Sequence, residues 1–249
     1  MPRKTADKTL TAVEMLRQLN AGLKDQVDSP NIFAYKPHEK QELFHKAEQR
    51  KKLYIGGNRS GKTTGAVVED IWWLTGTHPY RKIPEGQIRG RVVATSFIDG
   101  VSTIIIPQFK QWMPPSFLKN GSWDDSFNRE LRTLTLTNGN FVEFRSYDQE
   151  TQKFAGTSRH FVHYDEEPPE HIFDECNARL VDTAGSFWIS MTPLDGMTWV
   201  YDKLYVPGTE DKDSKIFVVE ADMLDNPHIS KEAAEDFLGS PKRDLVKVS

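Results

Sequence analysis

A glycine-rich segment that follows a short apolar strand constrains the fold of this chain more than any other feature. Residues 56–64 read Gly-Gly-Asn-Arg-Ser-Gly-Lys-Thr-Thr, directly after the apolar stretch Leu-Tyr-Ile. Their spacing matches the phosphate-loop pattern G-x-x-x-x-G-K-[ST]. Glycines let backbone N–H groups turn toward a polyphosphate, and the dipole of the following helix adds positive charge. We therefore predict a nucleotide site here, the alternative being a strand-to-helix turn without a ligand.

The side chains of this segment indicate how a nucleotide is held. Lys62 is placed to reach the β- and γ-phosphates, and the Thr63 hydroxyl is placed to hold Mg²⁺. Arg59 lies inside the loop, where a guanidinium can stabilise transition-state charge on the γ-phosphate; a solvent-facing loop arginine is the alternative. The predicted cofactors are ATP and Mg²⁺. The predicted nucleotide-binding residues of the loop are Gly56, Gly57, Asn58, Arg59, Ser60, Gly61, Lys62, Thr63 and Thr64.

A second strand ends in the two carboxylates that such a loop needs. Residues 161–166 read Phe-Val-His-Tyr-Asp-Glu, which fits a Walker B segment. Asp165 is predicted to hold Mg²⁺ through water, and Glu166 to polarise the attacking water as a general base. An Asp-Glu pair after a strand is weak evidence alone, because such pairs often begin a loop or a helix. Together with the phosphate loop it predicts catalysis by Glu166, Arg59 and Lys62.

Two more segments are candidates for the same site. Gln41, upstream of the loop, carries an amide that can read the edge of adenine; an exposed helix glutamine is the equal alternative. The segment Ser190, Met191 and Thr192 ends an apolar strand before Pro193. A hydroxyl at that strand end can sense the γ-phosphate and couple hydrolysis to a moving segment. An ordinary strand end stopped by proline is the alternative.

The order of the predicted elements indicates an α/β protein. Strands and helices alternate around the phosphate loop, which predicts a mostly parallel central sheet with helices on both faces. Alternating residues around Asn-Gly-Asn at 138–140 predict a β-hairpin. Apolar residues at near-helical spacing over 9–23 predict an N-terminal helical extension of residues 1–30, followed by the nucleotide-binding domain at 31–249. Helices are also predicted over 38–50, 66–74, 100–113, 170–180, 197–205 and 229–238.

Charge and composition limit the surroundings in which the chain works. The formal net charge of the 249 residues is −4, so contact with nucleic acid requires a local patch. One basic cluster, Lys46, Arg50, Lys51 and Lys52, precedes the first strand, and a solvated helix end explains it better than phosphate binding. The single cysteine indicates an intracellular setting without an intrachain disulfide, and no apolar run is long enough for a membrane span.

Taken together, the motifs resemble the ATPase domain of the large terminase subunit of tailed bacteriophages. The resemblance covers roughly residues 35–219 and is most specific in the arginine-bearing loop and in Asp-Glu-Glu-Pro-Pro at 165–169. It implies a P-loop NTPase of the RecA-like, additional-strand catalytic-glutamate type. It also implies a motor that drives double-stranded DNA into a procapsid in the host cell cytoplasm. The implied partners are double-stranded DNA, the portal protein, the small terminase subunit and further copies of the chain in a ring, with a monomer expected for the isolated chain.

The resemblance also assigns roles to individual residues. Gln41 becomes the adenine-recognition residue, Arg59 the phosphate-loop arginine, and residues 190–192 the coupling motif. A cation acting across subunits is implied as well, with Arg145, Lys153 and Arg159 as open candidates. The family's nuclease half is expected to be absent, so DNA cutting is not expected of this chain. A helicase-like remodelling ATPase is the alternative function, and a nucleotide-binding switch without turnover is another.

Overall fold

The structure, a computed structural model, describes residues 31–193 and 198–230 together with 232 and 234. Within these residues eight strands form one sheet, in the order β3-β4-β5-β2-β6-β7-β1-β8. The predicted extension at 1–30 and most of the predicted helix at 229–238 lie outside the described residues. The strands are β1 Lys51–Gly56, β2 Arg89–Ala94, β3 Phe127–Asn128, β4 Thr133–Thr135, β5 Phe141–Ser146, β6 Phe161–Asp165, β7 Ser186–Met191 and β8 Ile216–Ala221.

The sheet confirms the predicted α/β class. The six strands from β5 to β8 in sheet order pair in parallel, and only β3 and β4 run antiparallel at one edge. The predicted hairpin is present, with Leu134 opposite Val142. Strand β7 lies between β1 and β6. The strand that carries the phosphate loop is therefore separated from the Walker B strand by one additional strand, as the additional-strand type requires.

The helices differ from their predicted spans mainly at their ends. The first α-helix ends at residue 46, not 50, because the chain must extend into β1 by residue 51. The predicted helix at 100–113 begins earlier, as a π-helical stretch Phe97–Ile105 that continues into an α-helix. The α-helices are α1 Glu39–Lys46, α2 Lys62–Thr75, α3 Ile106–Trp112, α4 Trp123–Ser126, α5 Glu170–Ala178 and α6 Val206–Glu210.

Shorter helical turns complete the fold. The predicted helix at 197–205 is helical from Trp199 onward in the described part, through a π-helical turn Tyr201–Tyr205 into α6. No helix among the described residues is long and apolar enough to cross a membrane. The 3₁₀ turns are Pro115–Phe117, Lys119–Gly121, Thr151–Phe154 and Met223–Asp225.

Two apolar cores lie against the sheet. The larger one contains most of α2 with Phe44, Phe109, Phe161 and Trp188, and the smaller one contains Ile172 of α5 among others. Helix α2 is apolar almost all round, which is the expected pattern for a helix packed in the interior. Because α2 begins at the phosphate loop, this burial holds the loop's helical end in a fixed position.

A buried charge cluster joins α1, β1 and α2. Glu69 accepts hydrogen bonds from Lys52 Nζ at 2.9 Å, and its other oxygen lies 2.8 Å from His45 Nδ1 and 3.1 Å from His78 Nε2. Burial alone raises the pKa of Glu69, but Lys52 and the two histidines outweigh it and hold that pKa well below its usual value. Lys52 thus lies in the interior, so the basic cluster predicted at the end of the first helix does not form one surface patch.

This cluster predicts an acid-sensitive contribution to stability. Burial lowers the pKa of His45 from 6.5 to about 4. The unfolded chain therefore binds the proton first, and stability present above pH 6.5 is lost as the pH falls toward 4, by roughly 3 kcal/mol at most. Urea unfolding of the wild type and of His45→Asn at several pH values tests this. We expect the variant to be less stable at pH 7 and to lose less stability on acidification; equal pH dependence would contradict the assignment.

Candidate nucleotide site

The glycine-rich loop lies at the carboxyl end of β1, where α2 begins. Helix α2 starts at Lys62, four residues before the predicted 66, because its first turn needs no apolar periodicity. Gly61 caps the helix with φ of 85°, a left-handed conformation that favours glycine. A Cβ at this position would also lie 2.8 Å from Gln41 Nε2. Backbone conformation and close packing therefore both explain the glycine.

Helix α1 braces the loop from outside. The Gln41 side chain donates from Nε2 to the Gly61 carbonyl at 2.9 Å, and its Oε1 accepts from the His38 N–H at 3.1 Å. His38 Nε2 lies 3.0 Å from the Ser60 carbonyl oxygen. Both amide atoms of Gln41 thus contact the protein, and the side chain is buried. The structure places Gln41 against the loop; adenine recognition by this residue stays a prediction and would require an exchange of these contacts.

The predicted lysine and general base lie together. Lys62 Nζ is 3.4 Å from Glu166 Oε1, and Glu166 Oε2 accepts from the Thr192 N–H at 2.7 Å. Burial raises the pKa of Glu166 above its usual value, and Lys62 partly offsets this effect. A raised pKa brings a carboxylate closer to the range in which a general base works best. The Glu166 backbone has φ of 65°, which is uncommon for a residue other than glycine and recurs at functional sites.

The predicted metal ligands also lie together. Thr63 Oγ1 donates to Asp165 Oδ1 at 3.2 Å, and the same carboxylate oxygen accepts from Ser190 Oγ at 3.1 Å. A hydroxyl and a carboxylate at this spacing suit Mg²⁺, which prefers oxygen ligands. The described residues contain no group of three or more His, Cys, Asp or Glu side chains that could hold a metal. This is consistent with Mg²⁺ in such sites, where water and nucleotide phosphates complete the shell.

The remaining loop and strand-end residues take varied positions. The side chains of Asn58 and Arg59 are exposed, and the Arg59 carbonyl accepts from Asn226 Nδ2 at 2.8 Å. Ser60 is buried under Gly56, where a Cβ on the glycine would come within 2.5 Å of Ser60 Oγ. The other members extend outward or into the core: Gly57 N–H donates to the Ala221 carbonyl, Thr64 donates to Gln108, and Met191 is buried.

The three candidates for a cation acting across subunits differ in exposure. Arg159 is buried and binds Glu143 Oε1 through both Nε and Nη2, and Arg145 is half-buried and binds the other oxygen of Glu143. Lys153, on the 3₁₀ turn Thr151–Phe154, is exposed. Arg91 is buried against the same glutamate. The intrachain ion pairs of Arg159 and Arg91 explain those residues without a partner subunit.

Three residues at this site are not among the sequence-based candidates. Tyr147 OH donates to the carbonyls of Asp165 and Glu166, at 3.2 and 2.9 Å. His163 and Asp70 form a buried pair behind Ser190, with His163 Nδ1 2.7 Å from Asp70 Oδ2. A weak signal existed for two of them. His163 is an ionisable residue inside an apolar strand, and Asp70 lies seven positions after Thr63, on one helix face.

The architecture matches solved large terminase ATPase domains. That of Thermus phage P74-26 is 16% identical with a TM-score of 0.63, covering 85% of this chain and 91% of that one. A mutant of that domain gives 15%, 0.56, 76% and 83%. The large terminase of another thermophilic bacteriophage, solved with ADP, gives 16% and 0.58, and 81% of this chain spans 49% of it. No protein-family model and no curated protein matches the sequence. The resemblance is thereby confirmed for the fold.

Tyr147 generates a prediction about the backbone of the carboxylate pair. Tyr147→Phe removes the donor to two carbonyls, one of them on the strained Glu166. We expect the free energy of unfolding to fall by about 1–2 kcal/mol. Tyr205→Phe is the matched control, because its hydroxyl contacts Glu220 at the exposed surface, and a loss below about 0.5 kcal/mol is expected. Equal losses in the two variants, measured by urea unfolding, would contradict a supporting role for Tyr147.

Proposed function

We propose that this chain is the ATP-hydrolysing motor domain of a large terminase, which drives double-stranded DNA into a viral procapsid. One observation carries the proposal. Lys62 and Thr63 at the end of β1 lie within hydrogen-bonding or ion-pair distance of Glu166 and Asp165 at the end of β6. A phosphate loop without chemistry needs no such pairing with two carboxylates. The shared fold with terminase ATPase domains supports the choice of this motor among P-loop enzymes.

The chain's own groups suit hydrolysis of a γ-phosphate. The loop N–H groups and Lys62 bind and orient the polyphosphate. Bound Mg²⁺, held by Thr63 and by Asp165, would neutralise phosphate charge. Glu166 orients and deprotonates the attacking water, for which its partly buried carboxylate and raised pKa are suited. Arg59, exposed on the loop, supplies a guanidinium that stabilises charge in the transition state.

The end of β7 supplies a route by which hydrolysis is coupled to movement. Thr192 N–H holds Glu166, and Ser190 Oγ holds Asp165, so both catalytic carboxylates contact the strand end predicted as a coupling motif. When Glu166 turns toward a γ-phosphate, its hydrogen bond to Thr192 changes. We infer that this contact transmits the state of the nucleotide to the chain after Pro193.

The proposed assembly follows from the same reading. A ring of copies on the portal protein of a procapsid, in the host cell cytoplasm and with the small terminase subunit, would supply a neighbour's cation over the γ-phosphate. The exposed Lys153 is the candidate that its own chain does not bury. A net charge of −4 gives the isolated chain little general attraction to DNA, so it is expected to be a monomer that binds duplex weakly.

The first prediction separates binding from chemistry. Lys62→Ala removes the cation that faces the phosphates and is expected to weaken ATP binding and turnover together. Glu166→Gln keeps the size of the side chain but removes the base, so it is expected to retain binding and lose turnover by roughly 10²–10⁴-fold. Calorimetry and a phosphate-release assay measure the two effects. Loss of binding in Glu166→Gln with normal binding in Lys62→Ala would overturn the assignment.

The second prediction concerns assembly. The purified chain is expected to be a slow, Mg²⁺-dependent ATPase without nuclease activity, and its activity per subunit is expected to rise with protein concentration or with added portal and procapsid. Light scattering and phosphate release over a wide concentration range test this. A strictly monomeric chain with fast turnover would contradict the ring. Replacement of Lys153 by Ala should remove the rise, whereas Lys212→Ala, on another exposed loop, should not.

A further inference from the structure

A buried chain of polar side chains runs from α2 through β6 and β7 to the carboxylate of Asp165. Asp70 Oδ2 lies 2.7 Å from His163 Nδ1, and His163 Nε2 lies 3.1 Å from Ser190 Oγ. Ser190 Oγ in turn donates to Asp165 Oδ1 at 3.1 Å. Each of these four side chains is buried. Nothing in the proposed reaction uses Asp70 or His163, although they end at its metal ligand.

The number of available protons fixes the direction of this chain. A serine hydroxyl has one proton, which Ser190 donates to Asp165. Ser190 Oγ is then the acceptor for His163 Nε2–H, and the other ring nitrogen donates to Asp70. Trp188 Nε1 also donates to Asp70, at 3.1 Å, so this carboxylate is held from two sides. Every donor beyond Asp70 therefore points toward Asp165.

We propose that His163 is a positioning residue, which orients the Ser190 hydroxyl and thereby holds Asp165 in the rotamer that serves the magnesium of the bound nucleotide. The proposal rests on the proposed nucleotide site and names residues that the motif comparison does not. Its physical basis is that a ligating carboxylate has rotational freedom, which an outer hydrogen bond removes. Partners of this kind change metal affinity by roughly 10- to 100-fold when they are lost.

Packing alone does not account for this arrangement. A buried ion pair is often no more stabilising than apolar side chains of the same volume, and the surroundings here are apolar, with Phe161 and Trp188 stacked at 5.1 Å. The neighbouring residue on α2 offers an internal comparison. Glu69 also binds a buried histidine, His45, but that pair joins α1 to α2 and contacts none of the metal-site residues. The two pairs share burial and chemistry and differ in what they contact.

Two amide substitutions separate the two ring nitrogens. The amide nitrogen of Asn reaches about as far as Nδ1 of histidine, and that of Gln about as far as Nε2. His163→Asn can therefore still donate to Asp70 but not to Ser190, and His163→Gln can still donate to Ser190. Ser190→Ala removes the hydroxyl itself. His45→Asn is the control for losing a buried histidine beside a carboxylate.

The experiment measures the affinity of the full chain for a fluorescent ADP analogue, with Mg²⁺ and with EDTA, alongside urea unfolding of every variant. The quantity of interest is the gain in affinity that Mg²⁺ confers. We expect His163→Asn and Ser190→Ala to lose this gain by roughly 10-fold or more, with affinity in EDTA unchanged. His163→Gln should keep most of it, and His45→Asn should keep all of it despite lower stability.

The outcomes distinguish the proposal from its premise. An unchanged gain in Ser190→Ala overturns the positioning role, and so does equal loss in His163→Asn and His163→Gln. If a His163 variant fails to fold, Ser190→Ala still decides, because it removes one oxygen and leaves the ion pair. A wild-type chain that binds the analogue equally with and without Mg²⁺, or not at all, refutes the proposed nucleotide site instead.

Discussion

The position of β7 between β1 and β6 is the constraint on which the functional contacts of this domain depend. Because these strands are parallel, their carboxyl ends meet at one edge of the sheet. The phosphate loop leaves β1 there, the carboxylates leave β6, and the Ser190–Thr192 segment leaves β7 between them. Lys62 therefore faces Glu166 across one strand width, and the backbone of β7 holds that carboxylate at Thr192 N–H. A different strand order would separate these groups.

Helix α2 adds the second constraint, since it carries adjacent carboxylates that work in different directions. Glu69 gathers Lys52, His45 and His78 and fastens α1 and β1 to the helix. Asp70 faces the sheet and contacts His163 and Trp188. Both are buried, so each must keep its partners. The helix that begins at the phosphate loop is thus fixed in the interior by apolar packing and by two sets of ionic contacts, which leaves the loop itself to adapt to a ligand.

The sequence predicts the parts of this site whose chemistry depends on local spacing. The loop at 56–64 and the Asp165–Glu166 pair were identifiable because a strand and a helix flank one and a strand precedes the other. The sequence could not predict which strand lies between them, because sheet order depends on packing over the whole chain. The contact between His163 and Asp70 spans 93 residues and becomes visible only with that order. Likewise, the Gln41 amide met loop carbonyls that no local pattern specifies.

The central claim is that residues 62, 63, 165 and 166 form one site for a magnesium nucleotide. A crystal structure of the chain grown with a non-hydrolysable ATP analogue and Mg²⁺ tests it most directly. The account predicts that Lys62 leaves Glu166 for the β- and γ-phosphates, that the ion contacts the Thr63 hydroxyl, and that Glu166 faces a water in line with the γ-phosphate. A nucleotide bound elsewhere, or a phosphate in the loop with the Lys62–Glu166 pair intact, would contradict it.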